Sequence, residues 1–403
     1  MIGFIPTLPF YEVKKGLVTE RKTMRMEMQP QSIKLSRLRF ICDGIANTKS
    51  LFEELSNYPS ILNSIPDAQG RNITLFNEAN RNNIIYPPTS SLSRIDVING
   101  KIVDLNTKPA GFGLITSAEL IWQKENVYQE KTQPITADYN NLLPEEFEKA
   151  VIVTESTYPF VTDQIAIAKI AERQTDKHWR IIYCNQTKPD IKDGEAVFCF
   201  SWLSSPSISP TWIKFLFANQ EQFLLNPLAA RWDNKALMAL PFLENDLPSG
   251  NLSTLLRKIS KMFPDTYLFR RNGNSLEMAV GIGVEGIEYQ KVNKFNAPAT
   301  GDLYLKPLLE SGARGIIVKK LTDSGTSKST LLEYSERYHA FIAQEKVHPQ
   351  LEEGFNIKDG YFVQFNNPFN LLTIERMGVK TETNLIHGGS SSLIPLSIPY
   401  LET

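Results

Sequence analysis

Several large functional classes leave marks that this chain lacks. Its 403 residues include only three cysteines and four histidines. Cys42, Cys184 and Cys199 form no Cys-x-x-Cys pair and cannot all pair with one another, which argues against a disulfide scaffold and fits buried thiols in a reducing compartment. His178, His339, His348 and His387 are scattered, which argues against a histidine-built zinc site. No apolar run approaches the length of a membrane span. The apolar start, MIGFIPTLPFYEVKKG, holds two prolines and carries its lysines behind the apolar run, unlike a secretory leader. A cytoplasmic protein without membrane contact is expected. The formal net charge of -1 provides no global field for nucleic acid, so any phosphate-binding patch must be local. No internal repeat or low-complexity tract is visible.

What is present is the composition of an ordinary globular protein, 42% hydrophobic and 22% charged, in a chain too long for one core. Two or three lobes are expected. SLFEELSNY reads as a short helix, and RIDVINGKIVDLN as a hairpin turning at Asn99-Gly100. The acidic LLPEEFEKA reads as helical. Beyond it, AVIVT, a helix over 162–174 with Thr162 as N-cap, RIIYCN and EAVFCFSW imply a right-handed parallel crossover. LSSPSISPT reads as a loop over a cleft, and NKALMALPFL and LSTLLRKISKMF as helices. From TYLFRR onward the chain turns strand-rich. Gly281, Gly283 and Gly286 match Gly-x-Gly-x-x-Gly, but IEYQKVNKF alternates like a strand where a dinucleotide site needs a helix, so a glycine-bearing hairpin is expected.

Four stretches carry chemistry. In VDLNTKPAGFG, residues i and i+2 of a strand share a face, so Asp104 and Asn106 direct two hard oxygen ligands at one spot, beside Arg94 and Asp96 of the neighbouring strand. A strand ending in a polar turn is the other reading. In YLKPLLESGARGI, Lys306 at a strand end can reach phosphate, Glu310 can bridge magnesium, and the loop around Gly312, Arg314 and Gly315 offers backbone N–H groups; a short helix stopped by glycine is the alternative. AFIAQEKV turns polar at Gln344, Glu345 and Lys346, as an edge strand also does. Lys235 opens a helix after an aromatic-rich turn, or is a solvated first-turn lysine.

Asp-x-Asn-Thr-x-Pro-x-Gly resembles the Glu-x-Asn-Thr-x-Pro-Gly metal turn of D-alanine–D-alanine ligases, members of the ATP-grasp superfamily, and Lys-Pro-x-x-Glu-x-Gly resembles that superfamily's phosphate-loop segment. Here the metal turn precedes the lysine by about two hundred residues, as circular permutation produces. The eukaryotic-type glutathione synthetases have that order. Six colinear segments are similar to theirs: Arg94-Ile-Asp96, DLNTKPAGFG, VIVTESTYPFVTDQIAIAKIAE, DNKALMAL, YLKPLLESGARGI and IAQEKVHP.

The resemblance implies an α/β (α+β) chain with a circularly permuted ATP-grasp fold and an inserted parallel α/β substrate-binding lobe. It sets residues 1–145 as the part of the core with the metal turn, 146–228 as the substrate lobe, and 229–403 as the nucleotide lobes with a short lid. It implies ATP-dependent amide formation through an acyl phosphate, with ATP and Mg2+ as cofactors, small-molecule or peptide carboxylate and amine substrates, and a homodimer. By position Asp104, Asn106 and Glu310 would ligate magnesium. Lys235, Lys306, Gly312, Arg314, Gly315, Gln344, Glu345 and Lys346 would hold the nucleotide. Arg94 would act with Lys306 and Glu310 in catalysis, and would line the substrate site with Asp96, Gly111, Gln164, Ser201, Gly388, Gly389 and Ser390. There are three departures. Aspartate stands at 104 where glutamate is usual, and Ser201 stands where glutathione synthetases place an arginine. TETNLIHGGSSSLIPL lacks the Arg-x-Lys pair of their lid. Serine cannot replace those charge-assisted contacts, so a product other than glutathione is expected. A peptide- or protein-modifying ligase, or a non-catalytic binding protein on the same fold, remains the alternative.

Overall fold

The computed structural model describes residues 31–66, 92–124, 132–158, 160–201, 207–219, 234–247, 250–293, 295, 302–308, 315–320, 324–352, 354–364, 370–379 and 392–399. They form a mixed α/β protein with three sheets. The largest has eight strands in the order Gln31–Ser32, Ser392–Pro399, Asn370–Val379, Phe355–Gln364, Leu92–Ile98 and Lys101–Asn106, with Gln350–Glu352 and Thr132–Pro134 pairing off this path. The second, of seven strands, runs Gly286–Lys291, Ser275–Gly283, Thr266–Asn272, Ala340–Glu345, Asp302–Pro307 and Ile317–Lys320, with Glu244–Asn245 beside it. In the third, Lys149–Thr154 lies parallel between His178–Tyr183 and Glu195–Cys199.

Each sheet is explained by where its apolar residues go. Lys149–Thr154 is buried from Ala150 onward because both its faces are covered, as a parallel strand requires. Ala150 and Ile152 pack with the helix Val161–Gln174, whereas Val151 and Val153 pack with Trp212, Ile213 and Leu216 of the helix Pro210–Ala218. The two larger sheets share one core. Ile95, Val97 and Ile102 of the first meet Leu268, Ala279 and Ile342 of the second there, together with the helices Leu35–Leu55 and Asn251–Ser260. Every such fully buried aliphatic contributes roughly 1.5–3 kcal/mol. The strand Lys101–Asn106 ends its sheet, but its outer edge is covered. Ile102 N donates to Met262 O at 2.8 Å, and Lys101 Nζ donates to Lys261 O at 2.9 Å.

Four expectations about elements need correction. The helix expected at SLFEELSNY is the end of a 21-residue helix, Leu35–Leu55, whose buried Leu38, Ile41, Ile45, Phe52 and Leu55 keep one face apolar. LLPEEFEKA is not a helix. A 3-10 turn at Tyr139–Leu142 leads into bends, and Lys149 already begins a strand. Thr162 lies inside its helix, whose N-cap position is Phe160 with no side-chain cap. NKALMALPFL forms two 3-10 turns, Lys235–Met238 and Leu240–Phe242, because Pro241 cannot continue a helix from Ala239. The glycine decoy is a hairpin, with Gly283 opposite Gly286.

Candidate functional site

The hairpin around Asn99-Gly100 builds the first part. Both turn residues have positive φ, 46° and 78°, the geometry that suits a two-residue loop between twisted strands. Arg94 lies opposite Asn106 and Asp96 opposite Asp104. A bulge intervenes: Asp96 pairs with Asp104 but Val97 pairs with Ile102, leaving Val103 surplus. Ile102 therefore enters the core beside Val97, while Asp104, two residues on, shares the opposite face with Asp96.

Asp104 stands where the two large sheets meet. Its Oδ1 lies 3.4 Å from Lys235 Nζ. Lys235 is placed by its turn, its own N–H donating to Leu308 O just past the lysine strand. Lys306 Nζ donates to Val103 O at 3.0 Å and to Gln344 Oε1 at 2.6 Å. Gln344 is oriented in turn by donating to Thr266 Oγ1 at 3.2 Å. Both lysines are buried, and burial, helped by Lys235, lowers the Lys306 ammonium to about 8 despite the pull of Asp104.

The second part is a charged wall on the eight-stranded sheet. Arg94 makes a bidentate contact with Asp96, Nε–Oδ1 at 2.7 Å and Nη2–Oδ2 at 3.2 Å, and its Nη1 donates to Ala110 O at 2.5 Å. Lys358 Nζ donates to Asp96 Oδ2 at 2.7 Å. Burial would raise the Asp96 carboxyl, but Arg94 and Lys358 together hold it below its ordinary value. Glu375, from the inner strand Asn370–Val379, completes the wall. It is fully buried, with Oε1 3.4 Å from Arg94 Nη1, and neither oxygen accepts a hydrogen bond among the described residues. Burial raises its carboxyl to about 7 against Arg94.

Two glycines leave room for that carboxylate. A Cβ at Gly360 would lie 2.7 Å from Glu375 Oε1, and one at Gly111, whose φ is 107°, would lie 2.9 Å from Oε2. Past Gly111 the chain enters the helix Phe112–Lys124. Asp163, on the adjoining helix, accepts from Leu114 N at 2.9 Å and from the N–H groups of Gly111 and Gly113, capping that helix start from outside. Gly113 admits the close approach, since a Cβ there would meet Asp163 O at 2.2 Å.

The remaining expected residues are distributed around this centre. Ser201 closes the carboxyl end of the parallel sheet. Its Oγ lies 3.3 Å from Cys184 Sγ, and its carbonyl accepts from buried Lys108 Nζ at 3.2 Å. Gln164 is wholly buried, with neither amide atom hydrogen-bonded among the described residues. Glu345 N donates to Asp265 O, and Lys346 Nζ lies 3.4 Å from Asp302 Oδ2. Gly315 packs beneath Tyr338, and its carbonyl accepts from Tyr334 OH at 2.8 Å. Glu310, Gly312, Arg314, Gly388, Gly389 and Ser390 lie outside the described residues. Sequence reasoning missed Glu375, Lys358, Asp163 and Lys108. For Glu375 the one local signal was an acid, beside Arg376, in the mostly apolar LLTIERMG.

No group of three or more histidine, cysteine, aspartate or glutamate side chains among the described residues is arranged to hold a metal. No helix among them is long and apolar enough to cross a membrane.

No protein-family model and no curated protein sequence matches the chain. Among solved structures it is similar to a glutathione synthetase-like effector from Globodera pallida in its apo form, with a TM-score of 0.50 and 12% identity, covering 93% of this chain and 89% of that one. A gamma-glutamylcysteine synthetase candidate from Methylobacillus flagellatus aligns over 87% of each chain at 11% identity, with a TM-score of 0.34. At such identities the likeness to the effector is one of fold: the chain shares its mixed α/β architecture along nearly its whole length.

Proposed function

We propose that the chain is an ATP-dependent carboxylate–amine ligase on a circularly permuted ATP-grasp fold. The observation that carries this reading is the meeting of two sequence-distant segments at the seam of two sheets. The strand end bearing Asp104 and Asn106 touches both Lys235 and Lys306, about two hundred residues away from the latter. A seam that gathers two cations and hard oxygen donors suits a nucleotide triphosphate with its magnesium.

The residues fit such a group. Asp104 and Asn106 offer oxygen ligands, and Mg2+ needs only one or two protein carboxylates when phosphates and water supply the rest. Asn106 Nδ2 is buried without a hydrogen-bond partner among the described residues, leaving a donor that a phosphate oxygen would satisfy. Bound Mg·ATP would supply the phosphoryl group that activates a substrate carboxylate for attack by an amine. Lys235 and Lys306 would neutralise phosphate charge, Gln344 would aim Lys306, and the rigid Arg94–Asp96 pair would form one wall of the substrate site. Charge stabilisation and positioning dominate such chemistry, and no protein nucleophile is required.

The test is nucleotide-dependent stabilisation. Mg·ATP should raise the melting temperature of the wild type, and Lys306→Met and Asp104→Asn should each remove most of that increase. Release of ADP with a panel of amino acids and dipeptides should then reveal turnover. A wild type indifferent to Mg·ATP would end the ligase reading.

A second reading, a non-catalytic binding protein, is favoured by one observation. The ammonium of Lys306 is already held by Gln344 and Val103, and Lys235 already faces Asp104. Nucleotide binding without ADP release under any acceptor would favour it.

A further inference from the structure

The wall around Arg94 is built of opposed charges. A guanidinium has five N–H donors. Asp96 takes two of those of Arg94, Ala110 O takes a third, and Nη1 stands 3.4 Å from Glu375 Oε1. Arg94 is thus engaged from within the protein. Its side chain is 15% exposed, whereas that of Glu375 is 0% exposed. Once Glu375 ionises, above about pH 7, the wall as a whole holds two cations, Arg94 and Lys358, and two carboxylates, Asp96 and Glu375, so it offers no net positive charge to an anion.

Glu375 is the member of the wall that hydrogen bonding within the described chain does not explain. A buried carboxylate without donors is costly, and such groups concentrate where function requires them. Gly111 and Gly360, both without a side chain, stand against its two oxygens. Both glycines are themselves buried, so the carboxylate bears on a ligand through Arg94, the most exposed member of the wall.

We propose that this wall selects an amine substrate lacking a carboxylate, either neutral or cationic, and that Glu375 is the specificity-determining residue. Glu375 acts through its hold on Arg94, not by contact. The identification of the ligand as an amine substrate rests on the ligase reading above.

Isothermal titration at pH 8, where Glu375 is ionised, with matched pairs, glycine against glycinamide and lysine against cadaverine, tests the proposal with and without Mg·ADP. Wild-type protein should bind the member without the carboxylate at least about tenfold more tightly, a difference of about 1.4 kcal/mol. Glu375→Gln, of the same shape, should bring the two affinities within about threefold, and Glu375→Asp should keep the wild-type preference. Equal or reversed preference in the wild type, no binding by any of the four, or an unchanged preference in a folded Glu375→Gln variant would overturn it. If Glu375→Gln does not fold, the wild-type ratio and Glu375→Asp decide. If Mg·ADP does not bind, the ligase reading falls, while the nucleotide-free titration still decides the amine preference.

Discussion

Because burial raises the Glu375 carboxyl to about 7, its protonation is linked to folding. The unfolded chain ionises near the ordinary glutamate value, so between that pH and about 7 the folded state binds the additional proton. Stability is therefore lost as pH rises through this window, by up to roughly 1.4 kcal/mol per unit of displacement. Glu375→Gln should flatten that part of the profile, which urea midpoints measured from pH 4 to 8 would reveal. Lys306 works in the opposite direction, since its ammonium is lowered to about 8 and stability is regained as pH rises above that value. Neither behaviour is legible in one sequence. An acid in LLTIERMG has the alternation of a strand with one wet face, and only the burial of Asn370–Val379 between two neighbouring strands shows that Glu375 has no water. That Asp104 and Lys306 would lie together was expected from the resemblance alone, because Asp, Asn and Lys at strand ends also suit an ordinary polar turn.

At the scale of elements, the hairpin was readable because its determinants are local. Asn-Gly specifies the turn whatever surrounds it. Nothing lies within 4 Å of a Cβ built at Gly100, so Gly100→Ala should cost only the backbone strain, about 1 kcal/mol in chemical denaturation. Gly113→Ala meets backbone of the neighbouring helix instead and should cost several times more, about 3 kcal/mol or above. The bulge was not readable, because it depends on which face each flanking strand buries. Deleting Val103 would regularise the pairing, with Ile102 still opposite Val97 and Asp104 still opposite Asp96, but it would remove the carbonyl that Lys306 Nζ donates to, so such a variant is expected to lose more of its Mg·ATP response than of its thermal stability. LLPEEFEKA misleads for a related reason: its glutamates favour a helix, but the chain must reach the parallel sheet at Lys149.

For the whole molecule, the shared cores matter most. The two large sheets bury residues in one cluster, and Phe362, Leu372 and Met377 of the eight-stranded sheet also pack with the parallel sheet's residues Ile152 and Phe198. Leu268→Ala, at a fully buried position, should cost about 2–5 kcal/mol. It should also lower the unfolding midpoint seen by Trp179 and Trp212, which sit in the parallel lobe, if the lobes unfold together. The mixed α/β class was evident along the chain, but the strand order joining residues near 100 to those near 370 was not, since pairing across such separations leaves no local mark.

The covering of Lys101–Asn106 by residues 261–263 has a further consequence. A terminal strand with bare N–H and C=O groups is a template on which another polypeptide can grow a sheet. Here Ile102 N is already engaged by Met262. Loosening that short segment, for instance by Met262→Pro, would uncover a growth point for fibrillar self-association at the same ridge that gathers the candidate phosphate-binding lysines.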